Sequence, residues 1–434
     1  MPHRLASGDP AFARSFANLL AAKRESQRDV HVVVAGILAD VRARGDAALI
    51  ELTRRFDRFE VRAGALRFGE EEIARARARC DADALGALEL ARTRIESYHR
   101  RQLPQDLDYR DDAGVRLGAR WRPVPAVGVY VPGGTAAYPS SVLMSAVPAG
   151  VAGVERIVMA APTPNGEINP LVLAAADVAG VREIYRLGGA QAIAALAYGT
   201  ETISSVDKVV GPGNVYVAAA KSQVFGTVGI DMIAGPSEIV VVADRDNDPS
   251  WIAADLLSQA EHDTAAQAIL IADDGEFADR VAAAVDTHLA AMPRAAIAAE
   301  SWRLNGAIIV VPRLDDAVPL VDRIAPEHIE LVCAGAERLA RRIRNAGAIF
   351  LGRYTPEAIG DYVAGPSHVL PTARTARFSS GLGVFDFLKR SSVIECSAES
   401  LRAIGPAAAT LARCEGLDAH ALSVALRLDP TSGE

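Results

Sequence analysis

Apolar positions in this chain follow two different rhythms. In the first third, up to about Arg101, they recur at helical spacing. Val32 to Leu52 and Glu70 to Tyr98 are amphipathic, with charges on one face. Between Asp106 and Arg122 the pattern turns short and polar, as in a small hairpin or loop. From Val127 it changes to short apolar runs separated by helical stretches. Val127 to Val131, Arg156 to Ala160, Glu183 to Leu187 and Val206 to Val210 read as strands. Ser140 to Ala152, Pro170 to Ala179, Ala190 to Tyr198 and Asn214 to Phe225 read as the helices that follow them. Apolar strands joined by helices in this way imply a mostly parallel sheet with helices on both faces. The pattern resumes after Glu238, with strands at Ile239 to Ala243, Ala268 to Ala272, Ala307 to Val311, Ile329 to Val332 and Ala348 to Leu351. Asp248-Pro249 caps and starts a helix that runs to about Thr264. The expected fold class is α/β, with two parallel-sheet domains. The tail from Ser391 reads as helical and polar, with no sheet pattern.

Composition narrows the class. A chain of 434 residues, 50% hydrophobic and 23% charged, has enough apolar material for two or three folded domains. Its formal net charge of -8 argues against nucleic acid as the main partner, because binding phosphates needs a basic surface. Arg-rich stretches such as Arg75 to Arg79 and Arg341 to Arg344 fit solvated helix faces. Cys80, Cys333, Cys396 and Cys414 are far apart and form no CxxC pair, so neither a disulfide framework nor a thiolate zinc site is expected. A reducing cytoplasm fits. The first 21 residues are broken by Arg4, Asp9, Pro10 and Arg14, unlike a signal peptide. No apolar run reaches the roughly 18 residues of a membrane helix.

Chemistry enters at the strand ends. Small-residue turns stand at Pro132-Gly133-Gly134, Gly188-Gly189-Ala190-Gln191, Gly211-Pro212-Gly213-Asn214 and Ala234-Gly235-Pro236-Ser237. In an open parallel sheet, ligands bind outside the carboxyl ends of the strands. Glycine lets the backbone approach a phosphate, and a helix N-terminus favours an anion. No G-x-G-x-x-G follows a strand, so a dinucleotide would bind in a less common way. Tyr130, Gln191 and Asn214 stand where they can contact one. The plain alternative is that each turn only closes a loop.

Polar clusters supply a second kind of chemistry. Gln259 and His262 lie three residues apart on one helix face with Asp255. On spacing alone, a surface helix explains them better than a metal does. Imidazole and carboxylate are ready zinc ligands and a Gln amide a less usual one. Further ligands would have to come from elsewhere, with Asp361 and His420 as candidates. Glu327-His328 follows Pro326 at the start of a strand. An adjacent carboxylate and imidazole suit proton transfer near neutral pH, although an exposed turn pair fits equally well. His368 stands in a loop rich in Gly and Pro. His3, His31, His99 and His288 read as structural or solvated.

Taken in order, these segments resemble the histidinol dehydrogenase family. The matching stretches are Val129-Tyr-Val-Pro-Gly-Gly134, Gly188-Gly-Ala-Gln191, Gly211-Pro-Gly-Asn214, Asp231 to Glu238, Gln259-Ala-Glu-His262, Ala325-Pro-Glu-His328, Gly360-Asp361, His368-Val-Leu-Pro371, Ser379-Ser-Gly381 and Glu415 to His420. The resemblance runs from about Asp29 to Leu428, with no departure at a functional position. It implies NAD-dependent oxidation of L-histidinol to L-histidine through an aldehyde, the last steps of histidine biosynthesis. By resemblance, Gln259, His262, Asp361 and His420 are the ligands of one zinc per subunit, His420 coming from the partner in a homodimer. Glu327 and His328 are the acid–base pair, and Tyr130, Gln191 and Asn214 contact NAD. Ser237, His368 and Glu415, with His328 and the four zinc ligands, contact substrate. The implied fold is two incomplete Rossmann-like domains, with terminal segments exchanged between subunits. The expected boundaries are an N-terminal helical arm at 1–26; a first domain of 27–129, 239–327 and 378–386; an NAD-side domain of 130–238 and 328–377; and a tail at 387–434. The rivals are a dehydrogenase on the same scaffold for another small polar alcohol, such as a sulfonated propanediol, a zinc hydrolase, and a non-catalytic binding protein.

Overall fold

A computed structural model describes residues 2–21, 28–133 and 138–429. The chain forms two compact units, Met1–Arg101 with Pro125–Phe387, and Gln102–Val124 with Leu388–Glu434. Its strands are β1 (His3–Ala6), β2 (Leu107–Arg110), β3 (Arg116–Pro123), β4 (Ala126–Tyr130), β5 (Arg156–Ala161), β6 (Glu183–Arg186), β7 (Lys208–Val210), β8 (Gly229–Ile230), β9 (Glu238–Ala243), β10 (Gln267–Ala272), β11 (Ala307–Val310), β12 (His328–Val332), β13 (Ala348–Leu351) and β14 (Leu388–Glu395).

The larger unit holds two sheets. One has the order β6-β5-β4-β7-β8 and the other β1-β11-β10-β9-β12-β13. Every pairing in both is parallel. Parallel strands need a crossover between neighbours, which the helices supply. The central strands of the six-stranded sheet, β9, β10 and β12, are buried on both faces and largely apolar. Ile239, Val241 and Ala243 of β9 point into one core, and Val240 and Val242 into the other.

Strand order corrects the expected domain boundaries. β12 and β13 were expected with residues 130–238, but β12 pairs with β9, so both belong to the sheet of 239–327. Residues 27–129 were expected with that sheet. Instead Val34, Leu38 and Val41 of the helix Arg28–Arg44 pack against Ile193 and Ala197 of the helix Gly189–Tyr198, in the core of the five-stranded sheet, which also contains β4. Their i, i+4, i+7 spacing makes one apolar stripe, and the stripe follows whichever partner is apolar. The N-terminal arm contributes more than a helix. β1 pairs with β11, and Phe16 and Leu19 of the helix Phe12–Ala21 enter the core of the six-stranded sheet. Part of that arm, and Gly134 of the first glycine turn, lie outside the described residues.

Two long helices foreseen in the first third are each divided. Val32 to Leu52 breaks at Gly45, whose φ of 53° ends the helix Arg28–Arg44 before Asp46–Asp57 begins. Glu70 to Tyr98 breaks at Cys80-Asp81, where Asp81 caps the helix Ala82–Arg100 by accepting from the Ala84 N–H.

The smaller unit contains the expected hairpin, β2 with β3, and a strand that the sequence pattern missed. Leu388–Glu395 pairs antiparallel with β3 over its whole length. It is mostly exposed, so it carries no apolar alternation to give it away. The helices Ala398–Cys414 and Asp418–Leu428 complete this unit. Among the described residues no helix is long and apolar enough to cross a membrane.

Candidate active site

The helix Val318–Ile324 stops at Ala325, which adopts a left-handed φ of 47°, and Pro326 prevents its continuation. The chain then turns directly into β12 and delivers Glu327 and His328 beside the start of β9. Glu327 is buried and accepts a 2.9 Å hydrogen bond from the Glu238 N–H. Burial raises its carboxyl well above the usual range, and the neighbouring charges of Glu238, Asp361 and Glu357 raise it further. His328 is also buried, with Nδ1 at 3.1 Å from the Glu238 carbonyl oxygen. A carbonyl only accepts, so Nδ1 carries the hydrogen and Nε2 keeps a free lone pair. That Nε2 has no hydrogen-bond partner among the described residues. It lies 3.7 Å from Glu357 Oε1 and 3.8 Å from Asp361 Oδ1. Burial lowers the His328 pKa to about 4, so the ring is neutral at physiological pH and able to accept a proton.

Glu357 and Asp361 sit four residues apart on the helix Glu357–Tyr362, which places both carboxyls on one face. With His328 they offer ligand atoms that all lie within 4.8 Å of one another. Burial, then the Asp361 charge, raises Glu357 to about 9. Behind it, the Glu357 N–H donates to Glu330 Oε1 at 2.6 Å. Glu330, raised by burial, is hydrogen-bonded to Asp255, which burial raises to about 6. No lysine or arginine pairs with Glu327, Glu330, Glu357, Asp361 or Asp255 among the described residues. Acids concentrated in this way need a cation.

Gln259 adds to that need. It is fully buried on the helix Pro249–Ala260, and neither its amide oxygen nor its amide nitrogen has a partner among the described residues. It stands in the last turn, where the negative end of the helix dipole favours positive charge. His262 lies beyond the end of this helix, in an exposed turn, so it does not share the helix face with Gln259 that its spacing suggested. His368 is largely buried. Its Nδ1 donates to the Asp361 carbonyl at 3.0 Å, and its Nε2 lies 3.2 Å from Ser141 Oγ. Ser141 belongs to the helix Pro139–Ala152, so His368 joins the loop after β13 to the half of the unit built on β4. The donor set of His328, Glu357 and Asp361 therefore fits a divalent metal of the zinc type, through imidazole nitrogen and carboxylate oxygen.

A separate cavity of about 970 Å³ opens at the carboxyl ends of β4, β5, β6 and β7. Tyr130, Gln191 and Asn214 all line it, together with Gly133, Gly188 and Gly189. The strand order reverses at β4, which is where open α/β sheets bind nucleotides. The Tyr130 hydroxyl accepts from the Gly189 N–H at 3.0 Å. Asn214 caps the helix Val215–Val224 by accepting from the Tyr216 and Val217 N–H groups. A buried ion pair clamps the turn before it. The Gly211 N–H donates to Asp231 Oδ2 at 2.8 Å, and Lys221 Nζ donates to the Gly211 carbonyl at 2.9 Å.

The fold thus brings together Glu327, His328, Asp361 and His368, with Glu357, and gathers Tyr130, Gln191 and Asn214 separately. Ser237 is half-buried immediately before Glu238. Glu415 and His420 are exposed in the smaller unit. Sequence reasoning passed over Glu357 and Glu330. Signals for both existed: Glu357 precedes Asp361 by one helical turn, and Glu330 shares a strand face with His328. The Glu327-His328 pair also stands at the amino ends of β9 and β12, not at the carboxyl ends that the glycine turns favour.

Comparison with known proteins identifies the family. A family model described as histidinol dehydrogenase matches residues 20–428. The chain is 64% identical over 433 residues to a histidinol dehydrogenase of Ruegeria pomeroyi, covering 100% of both chains. It is 65% identical over 430 residues to one of Rhodospirillum rubrum, covering 99% of each. The crystal structure of histidinol dehydrogenase from Elizabethkingia anophelis matches with a TM-score of 0.94 at 34% identity, over 100% of this chain and 99% of that one. This chain belongs to the histidinol dehydrogenase family and is therefore an oxidoreductase.

Proposed function

We propose that the chain oxidises L-histidinol to L-histidine in two NAD-dependent steps through histidinaldehyde, closing histidine biosynthesis in the cytoplasm. The observation that carries this reading is the neutral, buried His328, whose free Nε2 faces an unpaired group of acids. His328 takes the proton of the substrate hydroxyl while the carbinol carbon loses hydride. Glu327, made a stronger base by burial, then takes a proton from the water that adds to the aldehyde. The hydrate loses a second hydride and becomes the acid. When bound, zinc supplies an anchor for the imidazole and amine nitrogens of histidinol, and NAD supplies the hydride acceptor. Gln259, His262 and Asp361 would hold the metal, with His420 from the second subunit of a homodimer. Ser237, His368 and Glu415 would contact substrate. The role is orientation: the substrate is fixed with its reacting carbon toward the nicotinamide.

The test is absorbance at the NADH wavelength with histidinol and NAD, with a sulfonated propanediol as the rival substrate. Two NADH per histidinol is the expected yield; turnover of only the sulfonated alcohol, or none, overturns the reading. His262→Ala should lose most of its zinc by elemental analysis while remaining folded by circular dichroism. Stoichiometric zinc in that variant removes His262 from the ligand set.

A further inference from the structure

The helix Asp46–Asp57 ends against the 970 Å³ cavity with a carboxylate that the fold does little to accommodate. Asp57 is 8% exposed and lines the cavity. Its one hydrogen bond among the described residues is long, 3.4 Å from the Thr163 N–H to Oδ2. No lysine or arginine pairs with it there. It occupies the last position of its helix, where the dipole disfavours an anion. Burial raises its carboxyl, and its charge is felt by the Tyr130 phenol, so it lies beside a residue of the same cavity. The other charged groups on this wall are different. Asp40 is held by Arg44 at 2.6 Å, and Arg55 is exposed, with its guanidinium over Phe56.

A buried carboxylate disfavoured by desolvation and by its helix, and lacking a cation, is explained by a ligand that brings hydrogen-bond donors. If the cavity takes a dinucleotide, its glycine turns and the N-terminus of the helix Gly189–Tyr198 suit the pyrophosphate. The donor-rich part that remains is a ribose. Two carboxylate oxygens match the two hydroxyls of a ribose cis-diol, and they repel a 2′-phosphate. We propose that Asp57 holds the cis-diol of the bound dinucleotide and thereby selects NAD over NADP. This rests on the reading of the cavity as the NAD site. A purely structural Asp57, tethering the turn at Thr163, would leave coenzyme preference unchanged.

Calorimetry with ADP-ribose and with 2′-phospho-ADP-ribose tests this without turnover. The wild-type chain, Asp57→Asn and Asp57→Ala are compared, with circular dichroism to check folding. A hydrogen bond to a charged group predicts about 10- to 100-fold weaker ADP-ribose binding in both variants. Binding of 2′-phospho-ADP-ribose should be unchanged or tighter. In steady-state assays the KM for NAD should rise while kcat holds, and the NADP to NAD ratio of kcat/KM should rise at least about tenfold. Wild-type affinity for ADP-ribose in both folded variants overturns the role of Asp57 alone. So does an equal loss for both ligands. If the wild-type chain itself binds no ADP-ribose, the reading of the cavity fails first, and the inference falls with it.

Discussion

At the scale of single residues, burial acts on two neighbours in opposite directions. It lowers the basicity of His328 by disfavouring its cation, and it raises that of Glu327 by disfavouring its anion. Only aldehyde oxidation needs an activated water, so Glu327→Gln should impair that step by about 10²–10⁴-fold and alcohol oxidation much less. Rates with histidinol and with histidinaldehyde check this; equal losses would refute the division of labour. Asp57 offers a stability test. Its folded pKa lies above the unfolded value, so the stability it contributes is fully present below the unfolded pKa and is lost as pH rises through the folded one. At neutral pH the ionised group therefore weakens the fold. Asp57→Asn should raise Tm by about 1–3 °C at pH 7 and leave it unchanged near pH 3. A thermal scan at the two pH values decides; an unchanged or lower Tm at pH 7 speaks against a strained carboxylate.

At the scale of elements, the turn after β7 shows how a loop is held in one shape. Gly211 has a φ of 111°, and a Cβ there would meet the Tyr130 carbonyl oxygen at 2.1 Å. Its N–H and C=O are fixed by Asp231 and Lys221, which are themselves ion-paired and buried. A buried ion pair is a weak source of stability, and removing one partner leaves an uncompensated charge. Lys221→Met should therefore cost about 3–5 kcal/mol. The double variant Lys221→Met with Asp231→Leu should recover most of that, yet keep a KM for NAD several-fold above wild type, because the turn is no longer held. Denaturant melts and coenzyme titrations separate the two effects. A normal KM in the double variant would reduce the pair to a packing feature. The elements themselves were largely legible in the sequence. The strands from β4 to β13 lie within about two residues of their predicted positions because each is an apolar run bounded by Gly, Pro or a capping residue. The exceptions are the two-residue β8, and β1 and β14, whose exposed residues carry no apolar alternation.

At the scale of the whole molecule, Glu415 and His420 lie in a unit of their own, and the proposed exchange between subunits has a direct test. His262→Ala and His420→Ala homodimers should each be nearly inactive. Their mixed dimer should regain one working site, built from the intact body and the intact tail, while the other site carries both lesions. Co-refolding and isolation of the mixed dimer measures this; no recovery despite proven mixing would mean that His420 does not complete the partner's site. What the sequence determined by itself was local. The α/β class, the glycine turns, the caps at Asp248 and Asn214, the Glu327-His328 pair and the family match all depend on residues close together in the chain or on motifs that keep their order. Strand neighbours are a different kind of information. That β12 inserts beside β9, and that the helix Arg28–Arg44 covers the five-stranded sheet, follow from which apolar surfaces fit together across hundreds of residues. The burial of Glu357, Glu330 and Asp57 was equally invisible. A carboxylate carries no mark of burial in its own sequence neighbourhood. Only tertiary packing removed water from these acids, and that desolvation is what shifted them away from ordinary surface carboxylates.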